Sequence, residues 1–208
     1  MKKKFKIIYP TFDLNKIYLN SEQKSWIKVV KFNDLCKNDD FELLWSLKPD
    51  EKSKILLFGR EQICPRYTKN YLKPYYFSGI ANQVENNLPE FVERLLNFSK
   101  NLNSHLNQVL VNWYEHDGSI GKHSDNVSQL EENSDIFSYT FGPAKRDFRL
   151  ESKSNDGNDF IVKLEDNTLV IMGGECQLTH KHSVLKVVCD DQKENNRRIN
   201  ITFRCFKN

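Results

Sequence analysis

The stretch that decides the fold of this chain is Arg198-Ile199-Asn200-Ile201-Thr202-Phe203-Arg204. Polar and apolar residues alternate along it, and side chains two positions apart in a strand point to the same side. The apolar side chains therefore face a hydrophobic core. The opposite face carries two arginines, an asparagine and a threonine. That face either lies in solvent or lines a pocket whose arginines bind a carboxylate through their planar donor groups.

Other strand-like segments precede this one and alternate with polar turns from about residue 107 onward. They are 108–114, 137–142, 147–151, 159–163, 168–172 and 182–188, and the last strand is expected over 198–206. Upstream, apolar residues recur at helical spacing over 33–47 and 88–102. This order predicts an α+β, mostly β protein, a jelly roll with supporting helices from the N-terminal half. We expect an N-terminal arm and helix over 1–50 and one domain over 51–208.

Composition excludes several classes of protein. The 208 residues are 38% hydrophobic, which is an ordinary globular balance, and a net charge of +3 does not by itself argue for a nucleic-acid partner. No apolar run approaches the roughly 20 residues that span a bilayer, so no membrane partner is expected. The cysteines number five, with no C-x-x-C pair. This disfavours a disulfide framework or a thiolate zinc site and indicates an intracellular setting, nuclear or cytoplasmic.

Two short motifs carry potential chemistry. His123 and Asp125 form an H-x-D, and in an extended segment both side chains point to one side. With a second histidine from a distant strand they would form the two-His-one-carboxylate triad of non-haem Fe(II) oxygenases. Alternatively, the H-x-D is a surface turn in which Asp125 caps a neighbour. Asn112 and Tyr114 share one face of an upstream strand, where an amide and a phenol could donate to an oxyanion.

In combination, four ordered motifs resemble the AlkB-type Fe(II)- and 2-oxoglutarate-dependent dioxygenases. They are Asn112-x-Tyr114, His123-x-Asp125, Gly173-Gly174-Glu175 leading into His182-Ser183-Val184, and Arg198-x-Asn200-x-Thr202-x-Arg204. The resemblance covers about residues 56–206. Upstream, the segments Phe58-Gly59-Arg60, Pro65-Arg66 and Tyr75-Tyr76-Phe77-Ser78-Gly79 resemble the branch of the family that repairs alkylated duplex DNA.

This resemblance implies a double-stranded β-helix and a full set of site residues. The implied iron ligands are His123, Asp125 and His182, and His180 is the alternative to His182 because it lies two residues earlier on the same face. The implied 2-oxoglutarate residues are Asn112, Tyr114, Arg198, Asn200, Thr202 and Arg204. Among them, Arg198 would pair with the distal carboxylate, and Arg204 would lie near the carboxylate that binds iron.

The resemblance also implies a reaction, which uses Fe(II), 2-oxoglutarate and O2. It is oxidative demethylation of N-alkylated bases, coupled to decarboxylation of 2-oxoglutarate to succinate and releasing formaldehyde. Methylated DNA is the first expected substrate and RNA the second, and we expect a monomer. Two further alternatives stay open: a dioxygenase of the same chemistry that acts on protein, and a jelly-roll binding module without catalysis.

Substrate contacts follow from the same resemblance. Tyr75, Tyr76 and Phe77 would contact the base, with Phe77 as the stacking ring, and Phe58, Gly59 and Arg60 would belong to a wedge that fills the gap left by a flipped base. Asn126 stands where the duplex-DNA branch has a second aspartate beside the base, so base recognition is expected to differ. The candidates for phosphate contacts are Arg66, Lys69, Lys73, Lys122, Lys145 and Arg146.

Overall fold

The strands and helices of this chain are seen in a computed structural model that describes residues 4–57, 59–77, 80–81, 84–154, 156, 158–186 and 196–207, without the side chains of residues 57, 76, 77, 80 and 81. The strands are β1 Lys6–Ile8, β2 Ile17–Tyr18, β3 Ser25–Lys31, β4 Lys54–Leu57, β5 Arg60–Ile63, β6 Tyr67–Tyr71, β7 Tyr76–Phe77, β8 Ile80–Ala81, β9 Val84–Glu85, β10 Gln108–Tyr114, β11 Ile120–His123, β12 Ile136–Phe141, β13 Arg146–Ser152, β14 Phe160–Leu164, β15 Thr168–Gly174, β16 His180–Val184 and β17 Arg198–Arg204. The helices are α1 Asn38–Ser46, α2 Glu90–Lys100 and α3 Cys176–Thr179. In these residues no helix is both long and apolar enough to cross a membrane.

Two sheets form the body of the molecule. The larger has the order β2-β3-β15-β12-β17-β10-β6-β9, and the smaller has the order β1-β14-β13-β16-β11. From β10 to β17 the chain passes back and forth between them, so that β10, β12, β15 and β17 lie in the larger sheet and β11, β13, β14 and β16 in the smaller. This alternation is the jelly roll, and it confirms the predicted fold class.

The larger sheet has an apolar face on each side. Its outer face packs against α1 and α2 and includes the apolar residues of β17, Ile199, Ile201 and Phe203, all fully buried. In α2, residues Phe91 and Leu95 point into this cluster, as the predicted helical spacing requires. The polar face of β17 therefore points the other way, into the space between the two sheets. It is buried and does not lie in solvent.

Residues near the N-terminus belong to the sheets. β3 pairs antiparallel with β15 along seven residues, from Ser25 opposite Gly174 to Lys31 opposite Thr168. β1 adds a parallel strand beside β14. These segments are thus strands of the two sheets. The domain boundary near residue 50 stays a prediction.

The chain requires glycine at positions 173 and 174, where β15 approaches β3 closely. A Cβ on Gly173 would lie 2.1 Å from the Trp26 ring. Gly174 has a φ of +61°, and a Cβ there would lie 2.0 Å from the Lys24 carbonyl oxygen. Only glycine allows the two strands to approach this closely before the chain turns into α3 and β16.

Several boundaries differ from the sequence expectation. The first helix begins at Asn38 and not at residue 33, and β16 begins at His180, two residues before the predicted strand. The elements that were not predicted include β11 and α3. β11 consists of Ile-Gly-Lys-His, which has no apolar alternation, and pairing with β16 makes it a strand.

We expect Ile27→Ala to lower the free energy of unfolding by about 2–5 kcal/mol, because Ile27 is fully buried in β3. The matched control is Ile7→Ala in β1, where the side chain is 55% exposed and the expected change is below about 0.5 kcal/mol. Chemical denaturation of both variants measures the difference. Equal small effects would contradict the placement of β3 inside the larger sheet.

Candidate active site

The polar face of β17 meets polar residues of β10 along one register. Arg198 lies opposite Tyr114, Asn200 opposite Asn112, and Arg204 opposite Gln108. On its other side, β17 pairs with β12, which places Thr140 opposite Asn200 and Ser138 opposite Thr202. The predicted 2-oxoglutarate residues are thus gathered on one inner surface, and they all line a single cavity between the sheets.

Three of the predicted metal ligands also meet at this cavity. His123 ends β11 and lies opposite His182 of β16, with their ring centroids 4.2 Å apart. Asp125 follows β11 by two residues, and its Oδ1 lies 3.8 Å from Nε2 of His123. The potential ligand atoms of His123, Asp125 and His182 lie within 4.8 Å of one another. This set of two imidazoles and one carboxylate on one side suits a non-haem iron ion.

His180 does not join this group. Its Nδ1 lies 2.8 Å from Oγ1 of Thr179 and its Nε2 lies 3.3 Å from the carbonyl oxygen of Asn158. Both ring nitrogens are therefore engaged in bonds that hold the beginning of β16. The structure brings His182, and not His180, to the other two ligands.

Asp125 is a buried carboxylate with a donor on each oxygen. Arg204 Nε donates to Oδ2 at 2.9 Å, and the Tyr75 hydroxyl donates to Oδ1 at 3.0 Å. Burial by itself would raise the pKa of Asp125, but the charge and hydrogen bond of Arg204, together with the nearby rings of His182 and His123, outweigh it and hold the pKa well below its usual range. The backbone N–H of Asp125 also donates to Oε1 of Gln177 at 2.8 Å. Asp125 is thus ionised and fixed in orientation, as a metal ligand requires.

The two histidines are suited to bind metal in their neutral form. Burial lowers the pKa of His123, and burial together with the nearby His123 ring lowers the pKa of His182 to about 3. The Nδ1 of His123 lies 2.8 Å from the Gly121 carbonyl oxygen, which can only accept. Nδ1 therefore carries the proton, and the unprotonated Nε2 lies on the side of Asp125.

Arg198 is a buried cation at the far end of the same cavity. Its Nη2 donates to Oγ1 of Thr140 at 2.9 Å, and its guanidinium lies over the Tyr114 ring, 4.7 Å from the centroid. Within the part of the chain that the structure describes, Nε and Nη1 of Arg198 have no hydrogen-bond partner. A buried guanidinium in this state strongly favours an incoming carboxylate.

Amide and hydroxyl side chains form the wall between Arg198 and the metal ligands. Asn200 Nδ2 donates to Oγ of Ser138 at 2.9 Å, and Thr202 Oγ1 donates to Oδ1 of Asn200 at 3.1 Å. The Oδ1 of Asn112 accepts from Arg66 Nε at 3.1 Å. Asn200 Nδ2 also donates to the Tyr139 carbonyl oxygen at 2.7 Å, so these bonds fix the orientation of both amides. A ligand with a carboxylate at each end, such as 2-oxoglutarate, suits the spacing of a cation at one end and a metal site at the other.

Comparisons with known proteins agree with this reading of the site. The family model described as the 2OG-Fe(II) oxygenase superfamily matches residues 45–204. The chain is similar in fold to a crystal structure titled as an oxidoreductase of the 2OG-Fe(II) oxygenase family from Burkholderia pseudomallei, with 13% identity, a TM-score of 0.51, and coverage of 86% of this chain and 84% of that one. It is also similar to OsALKBH1, with 16% identity, a TM-score of 0.55, and coverage of 86% and 97% respectively. Comparison with curated proteins finds no matching relative.

This chain belongs to the 2OG-Fe(II) oxygenase superfamily, because the family model matches most of its length. Members of that family use Fe(II), 2-oxoglutarate and O2, which are the cofactors that the sequence predicted. His123, Asp125 and His182 can hold the iron ion. The likeness to OsALKBH1, at 16% identity, is a likeness of fold.

The predicted substrate residues lie in three different settings. Gly59 and Arg60 lie at the exposed tip of the β4–β5 hairpin, where Gly59 has a φ of +75°. Phe58 is outside the described residues, as are the side chains of Tyr76 and Phe77 in β7. Asn126 is exposed, and its Oδ1 accepts from both the backbone N–H and the hydroxyl of Ser128, so it closes a local turn.

Tyr75 makes contacts beyond its predicted role. Its expected contact with the substrate base stays a prediction, and the residue is 5% exposed and lines the cavity. Its hydroxyl donates to the metal ligand Asp125, and its ring lies against the guanidinium of Arg204 at 4.5 Å. Sequence reasoning missed this role because Tyr75 and Asp125 are 50 residues apart and no local spacing connects them.

Two of the expected phosphate contacts are wrong. Arg66 and Arg146 are both buried, so neither can reach a phosphate on the surface. Arg66 binds Asn112 inside the cavity. Arg146 donates to backbone carbonyl oxygens, including that of Asn196 at 3.3 Å. Both arginines begin or precede strands whose inward face is fixed by the sheet register, and sequence alone did not assign that face.

The lysines expected at phosphates are engaged as well. The ammonium groups of Lys69, Lys122 and Lys145 lie near the carboxylates of Glu85, Glu151 and Glu165 respectively, at 2.9, 2.6 and 3.9 Å. Lys73 donates to the carbonyl oxygen of Phe206 at 3.2 Å. Exposed ion pairs of this kind contribute little to stability, and a phosphate can compete for such lysines.

Two other residues were missed by sequence reasoning. Gln177 holds the backbone of Asp125, and Gln108 accepts a hydrogen bond from Nη1 of Arg204 at 3.1 Å. A signal for Gln108 was available in the sequence, because Gln108 lies four residues before Asn112 and so shares the face of β10 that carries Asn112 and Tyr114. Gln177 lies in α3, which has no sequence signature.

We expect His182→Ala to weaken metal binding by more than 100-fold, because it removes one of three ligands that are already in place. His180→Ala serves as the control two residues away and should change the affinity by less than about threefold. Titration with Mn(II), followed by electron paramagnetic resonance, measures both. A larger loss for His180→Ala than for His182→Ala would transfer the ligand role to His180.

Arg198→Ala should raise the dissociation constant for 2-oxoglutarate by more than about 100-fold, since charge-assisted hydrogen bonds are worth about 1.5–3 kcal/mol each. The neighbouring Arg197→Ala is the matched control, because Arg197 forms an ion pair with Glu42 at the surface. Isothermal titration of each Mn(II)-loaded protein with 2-oxoglutarate measures the difference. Equal affinities in the two variants would contradict the carboxylate role of Arg198.

Proposed function

We propose that this chain is a nucleic-acid demethylase that oxidises N-methyl groups on bases, with DNA as the first substrate class. The overall reaction converts a methylated base, 2-oxoglutarate and O2 into the unmethylated base, formaldehyde, succinate and CO2. The single observation that carries this proposal is the contact between Tyr75 and Asp125. It joins the metal site to the segment that resembles the base-contacting segment of AlkB-type enzymes.

When bound, iron with 2-oxoglutarate and O2 supplies the oxidising power for removing the methyl group. The chain supplies binding, orientation and exclusion of water. Arg198 would bind the distal carboxylate of 2-oxoglutarate, while Asn112 and Asn200 would orient the rest of it. Phe148 lies 5.5 Å from the His182 ring and covers the ligands on the side of the smaller sheet. Most of the residues that line the cavity are buried.

Support for a nucleic-acid substrate comes from three sources. The four ordered motifs resemble AlkB-type enzymes, and OsALKBH1 carries the name of an AlkB homologue. In addition, the hairpin of β4 and β5 exposes the apolar residues Leu56 and Ile63, as a surface that inserts into a base stack would. RNA stays the alternative substrate, because Lys69, Lys122 and Lys145 are paired with carboxylates and would have to exchange these partners for the phosphates of a duplex.

The test measures the release of formaldehyde and succinate from four methylated substrates. The protein is loaded with Fe(II) under anaerobic conditions and is then given O2, 2-oxoglutarate and one substrate at a time. The four substrates are single-stranded DNA, duplex DNA, RNA and a methyl-lysine peptide, each beside its unmethylated form. We expect formaldehyde and succinate in equal amounts from methylated DNA, at more than about ten times the rate seen without methylation.

Asp125→Asn should abolish formaldehyde release, whereas His105→Ala, at an exposed histidine remote from the ligand set, should leave it unchanged. Turnover of the peptide alone would replace the proposal with a protein dioxygenase. Absence of succinate with every substrate would favour a jelly-roll binding module without catalysis.

A further inference from the structure

Tyr75 and Arg204 together enclose the carboxylate of Asp125. The Tyr75 hydroxyl donates to Oδ1 at 3.0 Å and Arg204 Nε donates to Oδ2 at 2.9 Å. The two donors also contact each other, since the guanidinium of Arg204 lies 4.5 Å from the centre of the Tyr75 ring. The carboxylate therefore cannot rotate without breaking a buried hydrogen bond on one side or the other.

The two carboxylate oxygens are not equivalent in this arrangement. Oδ2 is bound to a buried guanidinium, which is the stronger of the two donors because it is charged. Oδ1 is the oxygen that lies 3.8 Å from Nε2 of His123. A carboxylate oxygen has two lone pairs, so Oδ1 can accept from Tyr75 and still bind a metal ion.

We propose that Tyr75 is a positioning residue of the metal centre, which presents Oδ1 of Asp125 as the single oxygen offered to iron. Arg204 keeps Oδ2 away from the ion, so Asp125 binds through one oxygen and leaves the remaining positions to 2-oxoglutarate and O2. This inference depends on the metal site and not on the choice of substrate. It concerns this chain's own hydrogen bond and holds for any substrate class.

The position of Tyr75 in the chain adds to its importance. It lies in the connection between β6 and β7, directly before Tyr76. Its ring also packs near Phe206, with the centroids 5.9 Å apart. Tyr75 is thus held by contacts with two distant parts of the chain, Asp125 after β11 and Phe206 after β17. Its hydrogen bond connects the segment that begins at Tyr75 to the metal ligand.

The first experiment compares Tyr75→Phe with Tyr139→Phe in the full chain. Tyr139 is a matched control because it is also fully buried and its hydroxyl also makes a hydrogen bond, to Ser99 at 2.8 Å in the core on the far side of the larger sheet. Each change removes one oxygen atom and one buried hydrogen bond. Unfolding midpoints of both variants show whether their folds are retained to the same extent.

We expect Tyr75→Phe to raise the dissociation constant for Mn(II) by about tenfold or more, as is usual when the partner of a metal ligand is lost. Tyr139→Phe should change it by less than twofold. In the Fe(II) protein, the visible charge-transfer absorption that forms with 2-oxoglutarate should shift or weaken only in Tyr75→Phe. An unchanged Mn(II) affinity in Tyr75→Phe, or an equal loss in both variants, would overturn the proposal.

A second measurement uses the unaltered protein and does not depend on how well a variant folds. The hydroxyl proton of Tyr75 is buried against a carboxylate and should give a slowly exchanging, downfield proton resonance. Adding Zn(II) as a diamagnetic substitute for iron should shift this resonance, whereas that of the Tyr139 hydroxyl should stay in place. A Tyr75 resonance that does not respond to Zn(II) would refute the positioning role.

Discussion

The structure of this protein depends on the burial of two guanidinium groups on one face of a central strand. Arg198 and Arg204 both point from β17 into the space between the sheets, and both are at least 95% buried. Burial of an unpaired cation is costly, so each needs a partner. Arg204 has Asp125, which it aligns for metal binding, while Arg198 has a single hydroxyl and an aromatic ring. The difference between the two arginines separates the metal end of the cavity from the carboxylate end.

Much of the fold followed from alternation and periodicity, and the exceptions have a physical cause. The strand at 108–114 and the strands near 147–151 and 168–172 were predicted almost to the residue, because each has a clear strand signal: Phe148 and Leu150 alternate with polar residues, and the other two strands contain short continuous apolar runs. By contrast, Ile120–His123 has no such repeat, and its extended form comes from pairing with β16. The place of Ser25–Lys31 in the larger sheet was also not visible in the sequence, since its partner β15 lies about 140 residues away and only tertiary packing brings the two together.

The candidate site divides in the same way. The ordered motifs located the three metal ligands and the polar face of β17, since residues two apart on a strand share a side. They did not separate His180 from His182, because both lie on one face of β16. Only the register with β11 makes that distinction, by placing His182 opposite His123. The roles of Tyr75, Arg66 and Gln177 depend on contacts between distant segments, which spacing along the chain cannot express.

The position of β17 in the larger sheet has a consequence for the order of folding. β17 lies between β10 and β12, strands that precede it by roughly 90 and 60 residues, and it closes the sheet between them. Contacts of such long range are slow to form because a long loop must be ordered first. During synthesis, β10 and β12 leave the ribosome long before β17, so the position between them in the sheet is still empty. The cavity is therefore completed late in folding, because Arg198 and Arg204, the partner of Asp125, both belong to this strand.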